Sequence, residues 1–84
     1  MEKTENTTDQ KSKMPINLVL KRLQQRVSYF DARLILESAI VSSGIPSDVE
    51  SLSAEEAKSL CLEMIKRGGP AFQVGSALYK EFLH

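Results

Sequence analysis

The stretch from Leu52 to His84 constrains the fold most, because it carries the start and stop signals of two consecutive helices. Ser53 and Glu56 have the spacing of a capping box, in which each side chain bonds the other residue's backbone amide. Gly68 can adopt the left-handed backbone that ends many helices. Pro70 suits the first turn of a new helix, where an amide hydrogen would have no partner. The sequence therefore predicts a helical hairpin.

Both helices of this hairpin carry an apolar face. The first, over residues 54–67, is predicted to bury the residues at helical spacing, which are Ala54, Ala57, Leu60, Cys61, Met64 and Ile65. The second, over residues 70–83, is apolar around half its circumference. Within that half, Ala71 and Gly75 stand four positions apart. A glycine inside a helix costs about 1 kcal/mol relative to alanine, so Gly75 indicates that another backbone approaches closely.

The chain before the hairpin predicts two more helices, over residues 15–29 and 30–43. The first has one apolar stripe, formed by Ile16, Leu20, Leu23, Val27 and Phe30. Apolar residues after Asp31 fit a different stripe, so we predict a break in which Ser28 caps the second helix. Gly44 and then Pro46 end that helix.

These signals predict an all-α protein, a small compact four-helix bundle over residues 14–84. Residues 1–13 contain no aromatic and no large aliphatic residue after Met1, so we predict a disordered N-terminal tail. The predicted core consists of Leu20, Leu23, Val27, Phe30, Ile35, Leu36, Ile40, Leu60, Cys61, Ile65, Phe72, Leu78 and Phe82.

Composition restricts the function classes. The chain has 84 residues, and its eleven basic side chains balance eleven acidic ones, so no overall field attracts nucleic acid or an anionic membrane. Its apolar runs are too short to span a bilayer. The single cysteine excludes an internal disulfide framework, and we expect a cytoplasmic protein. A domain this small gains little from one core, which favours self-association or a protein partner.

We find no constellation that indicates catalysis, a metal or a cofactor. Cys61 lies on a predicted buried stripe, where a cysteine behaves as a small, inert apolar side chain. His84 is the only histidine and the final residue, so no nucleophile has an ordered histidine partner. We therefore predict a protein that is not an enzyme and has no cofactor.

Apolar residues left outside the buried stripes predict a protein-interaction surface. With one basic neighbour, the candidate partner-binding residues are Leu18, Arg22, Tyr29, Leu34, Val41 and Leu62. The expected function is a small adaptor, regulator or chaperone-like subunit that binds another protein or itself, with a homodimer favoured.

The alternative is a nucleic-acid-associated regulator. It would use the basic residues of the first helix and of the hairpin corner, Lys21, Arg22, Arg26, Lys66 and Arg67. A hairpin with a short glycine corner has features of a helix-turn-helix. Its second helix, however, would expose Lys80 and Glu81, which have opposite charges and make a poor recognition surface.

Overall fold

The computed structural model describes residues 14–83, which form a small all-α bundle, as predicted. Its elements are β1 (Met14–Pro15), α1 (Ile16–Gln24), α2 (Tyr29–Ser43), β2 (Ser51–Leu52), α3 (Ala54–Arg67) and α4 (Gly69–Phe82). Four helices are thus present in this part of the chain. The predicted disordered tail, residues 1–13, and His84 lie outside the described residues.

Two predicted caps are confirmed. The Ser28 hydroxyl accepts a hydrogen bond from the Asp31 amide at 3.1 Å and begins α2. At the start of α3, the Ser53 hydroxyl accepts from the Glu56 amide at 3.2 Å, while the Glu56 carboxylate accepts from the Ser53 amide at 3.0 Å. Both caps satisfy amides that would otherwise lack a partner at a helix start.

The end of α2 is also confirmed. Gly44 has a left-handed backbone with φ 75° and ψ 19°. The Ile45 amide donates to the Ile40 carbonyl at 3.2 Å, and the Gly44 amide donates to the Val41 carbonyl at 3.1 Å. These two bonds make up a Schellman motif, which ends α2 at the predicted glycine.

The corner between α3 and α4 differs from the prediction in its backbone angles. Gly68 has a positive φ of 79°, but its ψ of −175° is extended rather than left-handed helical. Gly69 follows with φ 58°. Two successive glycines with positive φ make the turn tight, so α4 packs directly against α3.

Gly75 has the packing role that its position predicts. A Cβ atom added there would lie 2.9 Å from the Cys61 carbonyl oxygen and 3.0 Å from the Met64 Cβ. Real Cβ atoms almost never approach so closely. The glycine therefore allows α4 to touch the backbone of α3.

A short antiparallel ladder, which we did not predict, closes one end of the bundle. Met14 pairs with Leu52 and Pro15 with Ser51, and the Ile16 amide donates to the Glu50 carbonyl at 2.9 Å. Met14 and Leu52 are both buried. Two residues per strand are too few for the alternating pattern that reveals strands in a sequence.

The first helix is shorter than the predicted 15–29. It ends at Gln24, and the amides of Arg26 and Val27 both donate to the Leu23 carbonyl in a turn that leads into α2. The buried residues of α1 are Val19 and Leu23. Leu20 and Val27, which we placed in the core, are half-buried against it.

Six of the thirteen predicted core residues are buried, and the three phenylalanines are exposed. The fully buried part consists of Met14, Val19, Leu23, Ala32, Leu36, Ala39, Ile40, Ile45, Leu52, Ala57, Leu60, Cys61, Met64, Ala71, Val74 and Leu78. Phe30 is 70% exposed, Phe72 46% and Phe82 36%, so these predictions were wrong. Ala54, predicted to be buried, is also exposed.

The reason differs among the phenylalanines. Phe30 follows the break and belongs to α2, where its position lies opposite the buried face. On α4, the buried residues are Ala71, Val74, Gly75 and Leu78, and Phe72 lies outside this buried face. Phe82 is the last residue of α4, at an end of the bundle.

Candidate protein-interaction surface

Helix α2 is apolar on two faces. Its inner face is buried and consists of Ala32, Leu36, Ala39 and Ile40. On the outer face lie Phe30, Leu34 and Val41. Because an α-helix turns by about 100° per residue, these three lie within about 40° of one another around the helix axis. The centres of the two faces are about 160° apart around the helix axis. The bundle therefore covers one apolar face of α2 and leaves the other open.

We call Phe30, Leu34 and Val41 the α2 outer stripe. Their exposed fractions are 70%, 57% and 75%, so most of each side chain contacts solvent. Single exposed apolar residues are ordinary on folded proteins. Three large ones in line on one helix form a surface that needs an explanation.

The Ser28 cap fixes where this stripe points. By starting α2 immediately before Tyr29, the cap places Phe30 in phase with Leu34 and Val41 rather than with the apolar residues of α1. Our sequence prediction missed Phe30 because it extended the α1 stripe through the break. The cap was visible in the sequence and could have identified the residue.

One edge of the stripe is charged. The Arg33 guanidinium donates to the Glu37 carboxylate, with 3.2 Å from Nε to Oε2, and to the Tyr29 hydroxyl at 3.2 Å. The guanidinium carbon also lies 5.9 Å from the centre of the Tyr29 ring. The hydrogen bond to Glu37, followed by the one to Tyr29, raises the pKa of Arg33 above its ordinary value. An exposed ion pair thus lies between the stripe and the groove that separates α2 from α1.

Of the six predicted partner-binding residues, only two belong to the α2 outer stripe, and these are Leu34 and Val41. Tyr29 is 52% exposed, but it lies about 120° from the stripe and borders a groove between α1 and α2. Leu18 is half-buried and packs against the core, because α1 contacts both α2 and α4. Only part of Leu18 is therefore available at the surface, and its role in partner binding stays a prediction.

The remaining two predicted residues lie elsewhere. Arg22 forms a two-pronged ion pair with Glu81 of α4, at 2.6 and 3.1 Å. This hydrogen bonding raises the pKa of Arg22 and lowers that of Glu81. Leu62 is 44% exposed and lines a shallow cavity of about 440 Å³ together with Ile65 and serines of α2 and α3. The structure therefore does not gather all six residues into one patch.

The basic residues of the nucleic-acid alternative are partly engaged. Besides the Arg22 pair, the Lys66 ammonium lies 3.1 Å from the Glu63 carboxylate, and Arg67 donates to the Ser42 hydroxyl at 3.0 Å. Lys21 and Arg26 are exposed. A nucleic acid would have to compete with carboxylates for two of the five cations.

Cys61 is buried in α3. Burial raises the pKa of its thiol from 9.0 to about 11, because the interior disfavours the thiolate. The thiol is therefore protonated at neutral pH, and a protonated thiol is a poor nucleophile and a poor metal ligand.

Within residues 14–83, no three histidine, cysteine or acidic side chains are grouped so that they could hold a metal ion. None of the helices in the same range is long and apolar enough to cross a membrane. Comparisons of the chain with protein-family models, with curated proteins and with solved structures gave no match.

Proposed function

We propose that this chain is a non-catalytic protein–protein interaction module that docks its partner on the α2 outer stripe. The observation that carries the proposal is that α2 is apolar on two opposite faces, only one of which the bundle covers. A helix that is apolar on all sides is normally buried on all sides. Covering the stripe would remove Phe30, Leu34 and Val41 from water, which stabilises a complex by about 25 cal/mol for each Å² buried.

The module would act as a small adaptor, regulator or chaperone-like subunit. A role without catalysis is supported by the environment of Cys61, whose buried thiol is protonated at neutral pH. Since the stripe lies on a helix whose opposite face is packed in the bundle, the surface is formed before the partner arrives. A preformed surface loses little conformational entropy on binding.

Nucleic-acid binding remains the second candidate. The exposed Lys21 in α1 and Arg26 in the turn after it favour it, because no acidic residue lies between them in the chain. It ranks lower because Arg22 and Lys66 are paired with Glu81 and Glu63.

The experiment purifies the wild type and three aspartate variants of the full chain from cells. It compares their helical content and the protein that remains bound to each. Leu34→Asp lies in the stripe, Leu62→Asp is an exposed control outside it, and Leu60→Asp is a buried control. We expect Leu34→Asp to retain its helical circular dichroism and to lose the bound protein, whether that protein is a second copy or another chain. Leu62→Asp should retain both, and Leu60→Asp should unfold because it buries an unpaired charge.

Two results would contradict the proposal. In one, Leu34→Asp unfolds as Leu60→Asp does, which would make the stripe part of the core. In the other, Leu34→Asp retains the same bound protein in the same amount as the wild type.

A further inference from the structure

Within residues 14–83, no segment covers the α2 outer stripe, whose three side chains are all exposed. Residues 1–13, which precede the described part, read MEKTENTTDQKSK and contain no large apolar residue after Met1. Such a segment cannot match three large apolar side chains. Apolar side chains that could cover the stripe must come from elsewhere.

The stripe has the spacing of a coiled-coil contact. Phe30, Leu34, Glu37 and Val41 follow one another at intervals of four, three and four residues. This alternation keeps side chains facing a partner helix along its length. Glu37 is the one polar residue in this series, and its side chain is 57% exposed beside Arg33. A matching partner helix must offer apolar side chains at both ends and a cation near the middle.

A second copy of α2 meets these requirements when it runs antiparallel. With a two-fold axis midway between residues 35 and 36, Phe30 lies opposite Val41 of the second copy, and Leu34 lies opposite its Glu37. Measured along the helix axis, Arg33 is then only one residue, or about 1.5 Å, away from Glu37 of the second copy. Each carboxylate thus lies between two guanidinium groups, one from its own helix and one from the other.

A parallel arrangement lacks this complementarity. It would set Glu37 opposite Glu37 and Arg33 opposite Arg33, and like charges facing each other across a helix pair are unfavourable. The chain as a whole carries eleven basic and eleven acidic residues, so two copies do not repel each other through net charge. A surface that complements itself in this way is the kind that two-fold dimers use.

We propose that the occupant of the α2 outer stripe is a second copy of this chain, bound antiparallel through α2 about a two-fold axis. This inference rests on the proposed function and names the partner. The contact is one helix face and is smaller than a standard interface, so we expect a dissociation constant of about 10–100 μM.

The test is a charge exchange measured by sedimentation equilibrium of the full chain. Wild type should pass from monomer to dimer as its concentration rises through that range. Arg33→Glu alone and Glu37→Arg alone should each weaken the dimer by about tenfold or more, because each places four like charges around the axis. An equimolar mixture of the two variants should form a mixed dimer about as tightly as the wild type does, since every facing pair is again opposite in sign. Circular dichroism of each variant checks that α2 is retained.

The orientation is tested separately by disulfide formation. Copies that carry Asp31→Cys are mixed with copies of different mass that carry Ser38→Cys, both in a Cys61→Ala background, under mild oxidation. Antiparallel pairing predicts a mixed disulfide between the two kinds of copy. Absence of a mixed disulfide under conditions in which the two kinds of copy still dimerise would overturn the proposed arrangement.

Failure of this inference can be told from failure of the proposed function. A wild type that stays monomeric up to about 1 mM, or a mixture that does not recover the dimer, overturns the second copy as occupant. If Leu34→Asp still loses a different bound protein, the stripe remains an interaction surface with another partner. If the wild type has no bound protein of any kind, both proposals fail.

Discussion

Replacing Gly75 with alanine tests the close contact between α3 and α4. In an unobstructed helix interior this change stabilises a protein by about 1 kcal/mol, because alanine has the higher helix propensity. Here the new methyl group would lie 2.9 Å from the Cys61 carbonyl oxygen, 3.0 Å from the Met64 Cβ and 3.4 Å from the Ile65 Cγ1. The nearest atom belongs to the backbone, which cannot move aside without shifting the whole helix.

The expected sign is therefore reversed. Overpacking a tight contact costs about 1–3 kcal/mol, which outweighs the propensity gain and leaves Gly75→Ala less stable by about 1 kcal/mol. For a domain of this size, that loss lowers the melting temperature by about 4–8 °C. Thermal unfolding followed by circular dichroism measures the shift, and urea unfolding gives the free energy directly.

An exposed site on the same helix supplies the control. Gln73 is exposed in the first turns of α4, so Gln73→Ala should be more stable than Gln73→Gly by about 1 kcal/mol. If Gly75→Ala stabilises the protein as much as that control difference, α3 and α4 are not in backbone contact and our account of the hairpin is wrong.

Three further predictions concern the caps, the buried thiol and the basic helix. Ser53→Ala should lower the free energy of unfolding by about 1 kcal/mol through loss of the cap, and Gly44→Ala by about 1–2 kcal/mol because of its left-handed backbone; unchanged urea midpoints would contradict both helix boundaries. Because the folded thiol of Cys61 has a raised pKa of about 11 against 9.0, its contribution to stability is complete below pH 9 and is lost as pH rises toward 11. The free energy of unfolding of Cys61→Ala should not show this fall between pH 9 and 11. If it depends on pH in the same way as that of the wild type, the thiol is not buried. If the chain binds nucleic acid, Arg22→Ala with Arg26→Ala should flatten the dependence of affinity on salt, whereas no binding at low salt would exclude that function.

The sequence predicted those features that depend on neighbouring residues in the chain. The Ser28 and Ser53 caps, the Gly44 ending and the break between α1 and α2 all follow from short-range chemistry. Gly75 was also interpreted correctly, since a glycine inside a helix is unfavourable unless packing requires it. These features were sufficient to predict the four helices and their order.

The buried faces were harder to predict because they depend on which helices meet. Phe72 and Phe82 are large apolar residues of α4, yet its buried residues are Ala71, Val74, Gly75 and Leu78. Leu18 lies away from the main stripe of α1 and is covered because α1 touches two other helices. Helical periodicity identifies an apolar face but does not give the number of neighbours around a helix.

The candidate surface was predicted in part for the same reason. Leu34 and Val41 were assigned to it, because they do not fit the buried stripe of α2. Phe30 was placed in the core, and the continuous line that it completes was therefore missed. The prediction continued the α1 stripe across the break between the two helices. Phe30 was therefore assigned to the wrong face, although it is the end residue of the α2 outer stripe.

The central claim is that α2 holds the bundle with one face and binds a protein with the other. A photo-reactive phenylalanine analogue, placed in turn at Phe30, Leu34, Val41, Tyr29 and Ser42, tests it most directly, because all five positions are exposed on the same helix. We predict protein adducts from the three stripe positions and little from Tyr29 or Ser42. Equal yields at all five positions, or the highest yield at Ser42 beside the Leu62 cavity, would contradict the account.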